Sequence, residues 1–337
     1  MATLKDIADI CNVNISTVSR ALAGKSTVNP KTRDNIRNVA EQLKYTPNLP
    51  ARALAGGTTK TIGLIVLEVD SNYYAKIIKS VEQELHNHGY VLIVGIGNFE
   101  YQKELDCLKA FNSRHVDGII MVGPFSEEFN TNLPNMREMF LQPSVIVQAN
   151  TQCDFATHIT MDDRTGIFAA VKHLIDLGHK RLGYISERNS KTRRINGFTE
   201  ALTAYGLEYI PEYVKIGKGR FETGGYEAMN EMLDQGTRPT AVFFSCDNIA
   251  LGATKAIYEH GLSIPRDISL VGYDGVKEAA YLPAALTTVV QPVAEMSRLA
   301  VQQIVSQIES NDRTANLRLS VQPQLVVRES SAPPAEA

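Results

Sequence analysis

The chain has 337 residues, 44% of them hydrophobic and 21% charged, with no tryptophan. That length implies two or three domains, and the ordinary globular mix excludes a disordered or fibrous protein. The formal net charge of -3 speaks against a nucleic-acid binder only until it is divided along the chain. Residues 1–60 carry nine Lys and Arg against four Asp and Glu, or +5, and the remaining 277 carry 25 against 33, or −8.

The first 46 residues read as a small all-α module. Thr3 is placed to cap a helix from Leu4, with Asp6 in its first turn at the positive end of the dipole. Leu4, Ile7, Ala8 and Cys11 recur at helical spacing. After a tight break at Asn12-Val13-Asn14, a second short helix over 15–22 turns Val18, Ala21 and Leu22 inward and ends at Gly24. A third, over 31–45, has Pro30 in its first turn. Residues 47–60, with Pro47, Pro50 and Gly56-Gly57, are expected to form a hinge helix and linker.

From residue 61 strands and helices alternate. Ile62-Gly63-Leu64-Ile65-Val66-Leu67 is almost continuously apolar, as a parallel strand buried on both faces requires. A helix over 73–87, a strand over 90–95, a helix over 101–111 and strands over 118–122 and 144–147 follow. After residue 160 the cycle restarts: helix 163–177, strand 181–185, a helix to 205, strand 214–216, helix 224–234, strand 240–245, a helix to 260 and strand 268–271. A last helix over 293–309 leads to residues 317–327. The pattern predicts an α/β body, residues 61–330, of two doubly wound parallel-sheet lobes, with the chain passing between lobes near 160 and 290. Ligands in such sheets lie beyond the strands' carboxyl ends, so two lobes predict a cleft between them. Residues 331–337 have the composition of a disordered tail.

Chemistry and compartment follow from what is missing. The start lacks the apolar core of a signal peptide and no run approaches a membrane span, which predicts a cytoplasmic protein with no membrane partner. Cys11, Cys107, Cys153 and Cys246 are scattered and read as reduced thiols. His86, His88, His173 and His179 sit at helix ends, where an imidazole interacts with the dipole, and no metal site is expected. Gly95-Ile96-Gly97 lacks the third glycine of a dinucleotide fingerprint, and no nucleophile motif or P-loop occurs, so neither a cofactor nor an enzyme is expected.

The most informative segment is Leu4-Lys5-Asp6-Ile7-Ala8 followed by Val13-Asn14-Ile15-Ser16-Thr17-Val18-Ser19-Arg20-Ala21-Leu22. A helix, a tight turn and a short helix with exposed Ser, Thr and Arg fit a DNA major groove, although an ordinary helical hairpin with a solvated face has the same pattern. Further strings follow in order: Tyr45-Thr46-Pro47-Asn48, Ala51-Arg52-Ala53-Leu54, Val116-Asp117-Gly118-Ile119-Ile120 and Leu177-Gly178-His179-Lys180-Arg181. Then come Arg238-Pro239-Thr240-Ala241-Val242, Ser269-Leu270-Val271-Gly272-Tyr273-Asp274 and Leu286-Thr287-Thr288-Val289. With these, over residues 2–328, the chain resembles the lactose/galactose repressor (LacI/GalR) family. Residues 74–94 and 221–228 look most like its purine and ribose repressors.

The resemblance implies a helix-turn-helix headpiece on a periplasmic-binding-protein-like body, working as a homodimer rather than a tetramer on a palindromic double-stranded DNA operator. It assigns DNA contacts to Thr3, Ile15, Ser16, Thr17, Ser19, Arg20 and Asn29. Arg52 is added from the hinge, with Leu54 as a minor-groove wedge that by residue type alone suits a linker packed on the body. Ile15 stands where relatives carry polar or Tyr side chains, which points to a thymine methyl. Pro50 is tolerated only in the first turn of the hinge helix. Effector contacts fall on Tyr73, Tyr74, Arg188, Ser190, Arg194, Phe221, Cys246 and Asp274. By residue type alone Phe221 equally suits a core position, Asp274 a turn cap, and the arginines a solvated charge run. Cys246 stands where sugar-binding relatives often have Asn, and Ala149 or Asn150 where purine-binding ones have an aromatic. The expected effector is a sugar or sugar derivative, with a purine or nucleoside as the alternative. A sugar-binding protein or enzyme without DNA binding is the remaining alternative.

Overall fold

The computed structural model describes residues 2–22, 27–45, 58–148, 153–187, 193–235, 238–310 and 317–335. They form two compact units, Met1–Thr59 and Lys60–Ala337.

The first unit contains α1 (Leu4–Cys11), α2 (Ile15–Leu22) and α3 (Pro30–Gln42). Thr3 and Asp6 close a capping box at the start of α1, each satisfying the other's backbone N–H. Asn12, with φ 52°, takes the left-handed conformation that ends α1. Ile7, Val18, Ala21 and Ile36, one or two from each helix, are fully buried against one another. Lys44, with φ 48°, turns the chain back, so α3 stops at Gln42 rather than running to Tyr45. Gly24, Pro50 and the expected hinge helix lie outside the described residues.

The second unit is built on two six-stranded sheets. In the first lobe β1 (Thr61–Val66), α4 (Asn72–Asn87), β2 (Val91–Ile96), α5 (Tyr101–Ser113), β3 (Gly118–Val122), α6 (Glu127–Asn132), β4 (Ser144–Val147) and β5 (Thr157–Met161) follow in sequence. The second lobe contains α7 (Asp163–Asp176), β6 (Leu182–Glu187), α8 (Arg193–Ala204), β7 (Val214–Gly217), α9 (Phe221–Leu233), β8 (Ala241–Phe244), α10 (Asp247–Glu259), β9 (Ser269–Asp274) and β10 (Thr287–Val290). The chain then returns to the first lobe for α11 (Val293–Ser310) and β11 (Arg318–Val321), and ends in the second with β12 (Gln324–Val326).

The strand orders are β11-β5-β4-β3-β1-β2 and β12-β10-β9-β8-β6-β7. All neighbours are parallel except β12, which runs antiparallel to β10. The chain thus passes between lobes at Asp162, at Gln291-Pro292 and again at Gln322-Pro323, inside the stretch that reads in sequence as one segment over 317–327. In each sheet the order reverses around one strand, β1 or β6, which makes the crevice beside its carboxyl end the place for a ligand.

Two close approaches align the second lobe with that crevice. A Cβ on Gly225 would lie 2.0 Å from the Ile249 carbonyl oxygen, and one on Gly252 would lie 1.8 Å from that of Glu222. Helices α9 and α10 therefore touch backbone to backbone, which sets their N-termini, Phe221 and Asp247, side by side.

Within the tail expected over 331–337, the composition of Ser331 and Ala332 misleads. Ser330 pairs with Leu270 through N–H to carbonyl and hydroxyl to carbonyl bonds, both 2.7 Å. Ser331 Oγ lies 2.8 Å from His173 Nε2, and the Ala332 carbonyl lies 2.9 Å from His179 Nε2. The two imidazoles pin this segment to the second lobe, and burial lowers both their pKa values, so they act as neutral hydrogen-bonding groups rather than charges on helix dipoles. Residues 336 and 337 lie outside the described residues.

Candidate effector site and nucleic-acid interface

The ends of β1, β3, β4, β6, β8 and β9 converge on one cavity of about 180 Å³ between the lobes. Tyr73, Tyr74, Arg194, Phe221, Cys246 and Asp274, six of the eight sequence-predicted effector residues, line it. Arg188 and Ser190, like Ala149 and Asn150, lie outside the described residues.

Asp274 is the centre of its polar side. It closes β9 with φ 114°, a backbone conformation that side-chain-bearing residues rarely adopt. Its Oδ1 accepts from Gln291 Nε2 at 2.6 Å and from Arg194 Nη1 at 3.3 Å. Burial raises the Asp274 pKa, against the pull of the Arg194 guanidinium. Arg194 also donates to the Ser245 carbonyl, lies 3.7 Å from Asp163 and stacks 3.8 Å over the Tyr273 ring. Burial opposes its charge, but Asp274, Tyr273 and Asp163 outweigh that and hold Arg194 protonated.

The loop after Asp274 is anchored beneath the cavity by Asp247. Its carboxylate accepts from the Val276 N–H at 2.8 Å and from Thr288 Oγ1 at 2.6 Å. Asp247 is the first residue of α10, and Cys246 precedes it as the capping residue. Rather than capping α10, the Asp247 side chain holds the loop after β9 to β10. Burial raises its pKa to about 7 and raises that of the Cys246 thiol well above its usual range. Cys246 is therefore an inert wall of the cavity rather than a nucleophile.

At the cavity, two links among the described residues cross from lobe to lobe. In one, Tyr73 Oη donates to Gln148 Oε1 (3.0 Å), and Gln148 Nε2 donates to Gln291 Oε1 (3.0 Å), which leads on to Asp274. In the other, the Arg220 guanidinium of the second lobe meets Glu68, in the loop after β1, through two bonds of 2.7 and 2.9 Å. Arg220 Nε reaches Glu187 at the end of β6 at 3.3 Å. The guanidinium lies 4.5 Å from the Phe221 ring centre and 5.5 Å from that of Phe99. Sequence reading missed Gln148, Gln291, Glu68, Glu187 and Arg220. The one signal it held is that all five stand at or just beyond strand ends.

On the first unit, Ile15, Ser16, Ser19 and Arg20 are exposed along α2, and Thr17 is half-buried. Ile15 leaves 48% of its surface to solvent, unusual for an isoleucine in a helical core module. Arg20 Nε folds back on the Ser16 carbonyl at 3.1 Å. Thr3 and Asn29 are exposed caps of α1 and α3, Asn29 accepting from the Lys31 N–H at 2.9 Å. Arg52 and Leu54 lie outside the described residues.

Residues 3–48 match the family model of bacterial regulatory proteins, lacI family, and residues 171–331 match that of a periplasmic binding protein-like domain. The HTH-type transcriptional repressor PurR of Klebsiella pneumoniae subsp. pneumoniae is 35% identical over 338 residues, covering 98% of this chain and 97% of that protein. The ribose operon repressor of Haemophilus influenzae is 33% identical, covering 98% of each. Among solved structures, the lac repressor dimer bound to operator and the anti-inducer ONPF shares the fold, with a TM-score of 0.86 at 23% identity over 98% of this chain and 99% of that one. The complex of the transcriptional regulator CelR with cellobiose has a TM-score of 0.71 at 28% identity, over 98% and 100%. The chain belongs to the LacI family of bacterial regulatory proteins and is a ligand-responsive, DNA-binding transcriptional repressor, not an enzyme.

Proposed function

We propose that the protein binds a palindromic operator as a homodimer in the cytoplasm, and that a sugar or sugar derivative in the interlobe cavity controls that binding. The observation that carries the effector reading is the Arg194–Asp274 pair, a charged donor beside a buried acceptor in a cavity with aromatic walls. Such an arrangement suits adjacent hydroxyls on a ring with apolar faces. Rings at Tyr73, Phe99 and Phe221 also suit a planar heterocycle, which keeps a purine as the second reading.

For DNA, α2 offers Ile15 to a thymine methyl and Ser16 to base edges, while Thr17, Ser19 and Arg20 meet phosphate or a neighbouring base. Thr3 and Asn29 support phosphate contacts from the starts of α1 and α3. Arg52 and Leu54 serve the minor groove from the hinge. Dimerisation is supported by the edge strand β2, which leaves Val91, Val94 and Ile96 exposed, and by Tyr281, 77% exposed. An uncovered apolar edge of that kind calls for a partner.

Thermal unfolding of the full chain against neutral pentoses and hexoses, nucleobases and nucleosides tests the effector. A ligand that binds only the folded state raises the transition by mass action. A sugar should do so, and stabilisation by nucleobases alone would replace the sugar with a purine. Gel-shift titration against palindromic sequences then shows whether the same compound strengthens or weakens operator binding.

A further inference from the structure

We propose that Glu68 closes the Arg220 side of the cavity to anionic groups, so that no phosphate of the effector is held at that guanidinium, with Glu68 as the residue that sets this selectivity. The inference rests on the reading of the cavity as the effector site. Among the described residues two guanidinium groups line it, and each is already matched by two carboxylates. Arg194 has Asp274 at 3.3 Å and Asp163 at 3.7 Å. Arg220 has Glu68 at 2.7 Å and Glu187 at 3.3 Å. A phosphate is recognised through fork-shaped bonds from a guanidinium. Here Glu68 occupies that fork on Arg220 from the opposite lobe, with two oxygens on two nitrogens. An incoming anion has to displace Glu68 and then lie beside the remaining carboxylates. A hydroxyl or an amine meets the same carboxylates as acceptors.

The arrangement has a second consequence. The Glu68–Arg220 contact joins the two lobes, so whatever displaces Glu68 also removes a link that closes the cavity. A phosphorylated compound would therefore open the site as it entered.

The test uses inorganic phosphate as the probe and the full chain in three forms: wild type, Glu68→Gln and Arg220→Ala. Thermal unfolding is followed in phosphate and in sodium chloride of matched ionic strength. General salt effects and phosphate held elsewhere are common to all three forms. Wild type and Arg220→Ala should respond alike, while Glu68→Gln, with the fork freed, should gain a further rise of about 2 °C or more. Glu68→Ala provides a second release of the same guanidinium should Glu68→Gln fail to unfold cooperatively. A phosphate-specific rise in wild type that disappears in Arg220→Ala overturns the proposal. So does the absence of any gain in both Glu68 variants. Either result is independent of whether a sugar or a purine binds, so failure here is distinguishable from failure of the effector reading.

Discussion

Asp274 concentrates the behaviour of the cavity in one side chain. Its backbone is held in a strained conformation, its carboxylate joins Arg194 to the Gln291–Gln148–Tyr73 chain, and Asp247 fixes the loop that follows. Asp274→Asn preserves the shape and removes the charge that balances Arg194. Losing a hydrogen bond to a charged group costs about 1.5–3 kcal/mol, so effector affinity should fall by about ten- to a hundredfold, as calorimetry can measure. Operator binding in the absence of effector should persist. Asp274 and Phe221 could be picked out in the sequence because they sit in stretches that resemble the family, and Arg194 by its position within that resemblance. Gln148 and Gln291 could not. They stand 143 positions apart and meet only because β4 and β10 end at the same crevice. Arg220 was hidden for another reason: a lone arginine among glycines and a lysine reads as solvated until Glu68 approaches from the other lobe.

At the level of elements, apolar runs and glycine stops mark most strands and helices to within a few residues. The strand β5 escapes because Thr157, His158 and Thr160 make it look polar. Its burial is permitted by specific partners: Gln307 Nε2 donates to Thr157 Oγ1 at 2.8 Å, and His158 Nε2 accepts the Cys153 N–H at 3.1 Å. Ser331 and Ala332 mislead for the same reason, since small polar residues resemble a solvated end until their hydrogen bonds are known. That segment brings a pH dependence. The Ala332 carbonyl takes the proton on His179 Nε2, leaving Nδ1 to accept from Thr240 Oγ1 at 2.9 Å. Because burial lowers the His179 pKa below its ordinary 6.5, the unfolded chain takes up a proton before the folded one on acidification. Stability is therefore lost as pH falls through about 6.5. Asp247, with its pKa raised to about 7, runs the other way, since the folded state keeps that proton longer as pH rises. Comparing wild type with His179→Gln isolates the imidazole. Denaturant unfolding at pH 5, 6 and 7 should show a shallower loss of stability in the variant, by less than one proton.

For the whole molecule, the division of charge matters more than its sum. An excess of +5 in residues 1–60 supplies the contacts whose salt dependence follows the number of phosphates neutralised, and −8 in the remainder discourages other parts of the body from non-specific contact with DNA. Two headpieces are needed for the two halves of a palindrome, so subunit pairing and operator affinity should be lost together. Val94→Asp or Tyr281→Asp, each placing a charge on an exposed apolar site, should give monomers by sedimentation with an unchanged circular dichroism spectrum. Operator affinity should then fall by about a hundredfold or more, because the second half-site no longer benefits from linkage. A Val94→Asp variant that stays dimeric would show that the apolar edge of β2 serves another purpose.

The triple passage between lobes also orders events during synthesis. Neither sheet is encoded by a continuous stretch: the first waits for β11 and the second for β12, which ends at Val326. The helical headpiece, by contrast, is complete once Gln42 has been made. On the ribosome, a module with a core of its own thus precedes nearly 300 residues whose two halves must finish almost together. Ligand recognition therefore becomes possible only after β12 has been made, when both walls of the cavity are complete for the first time.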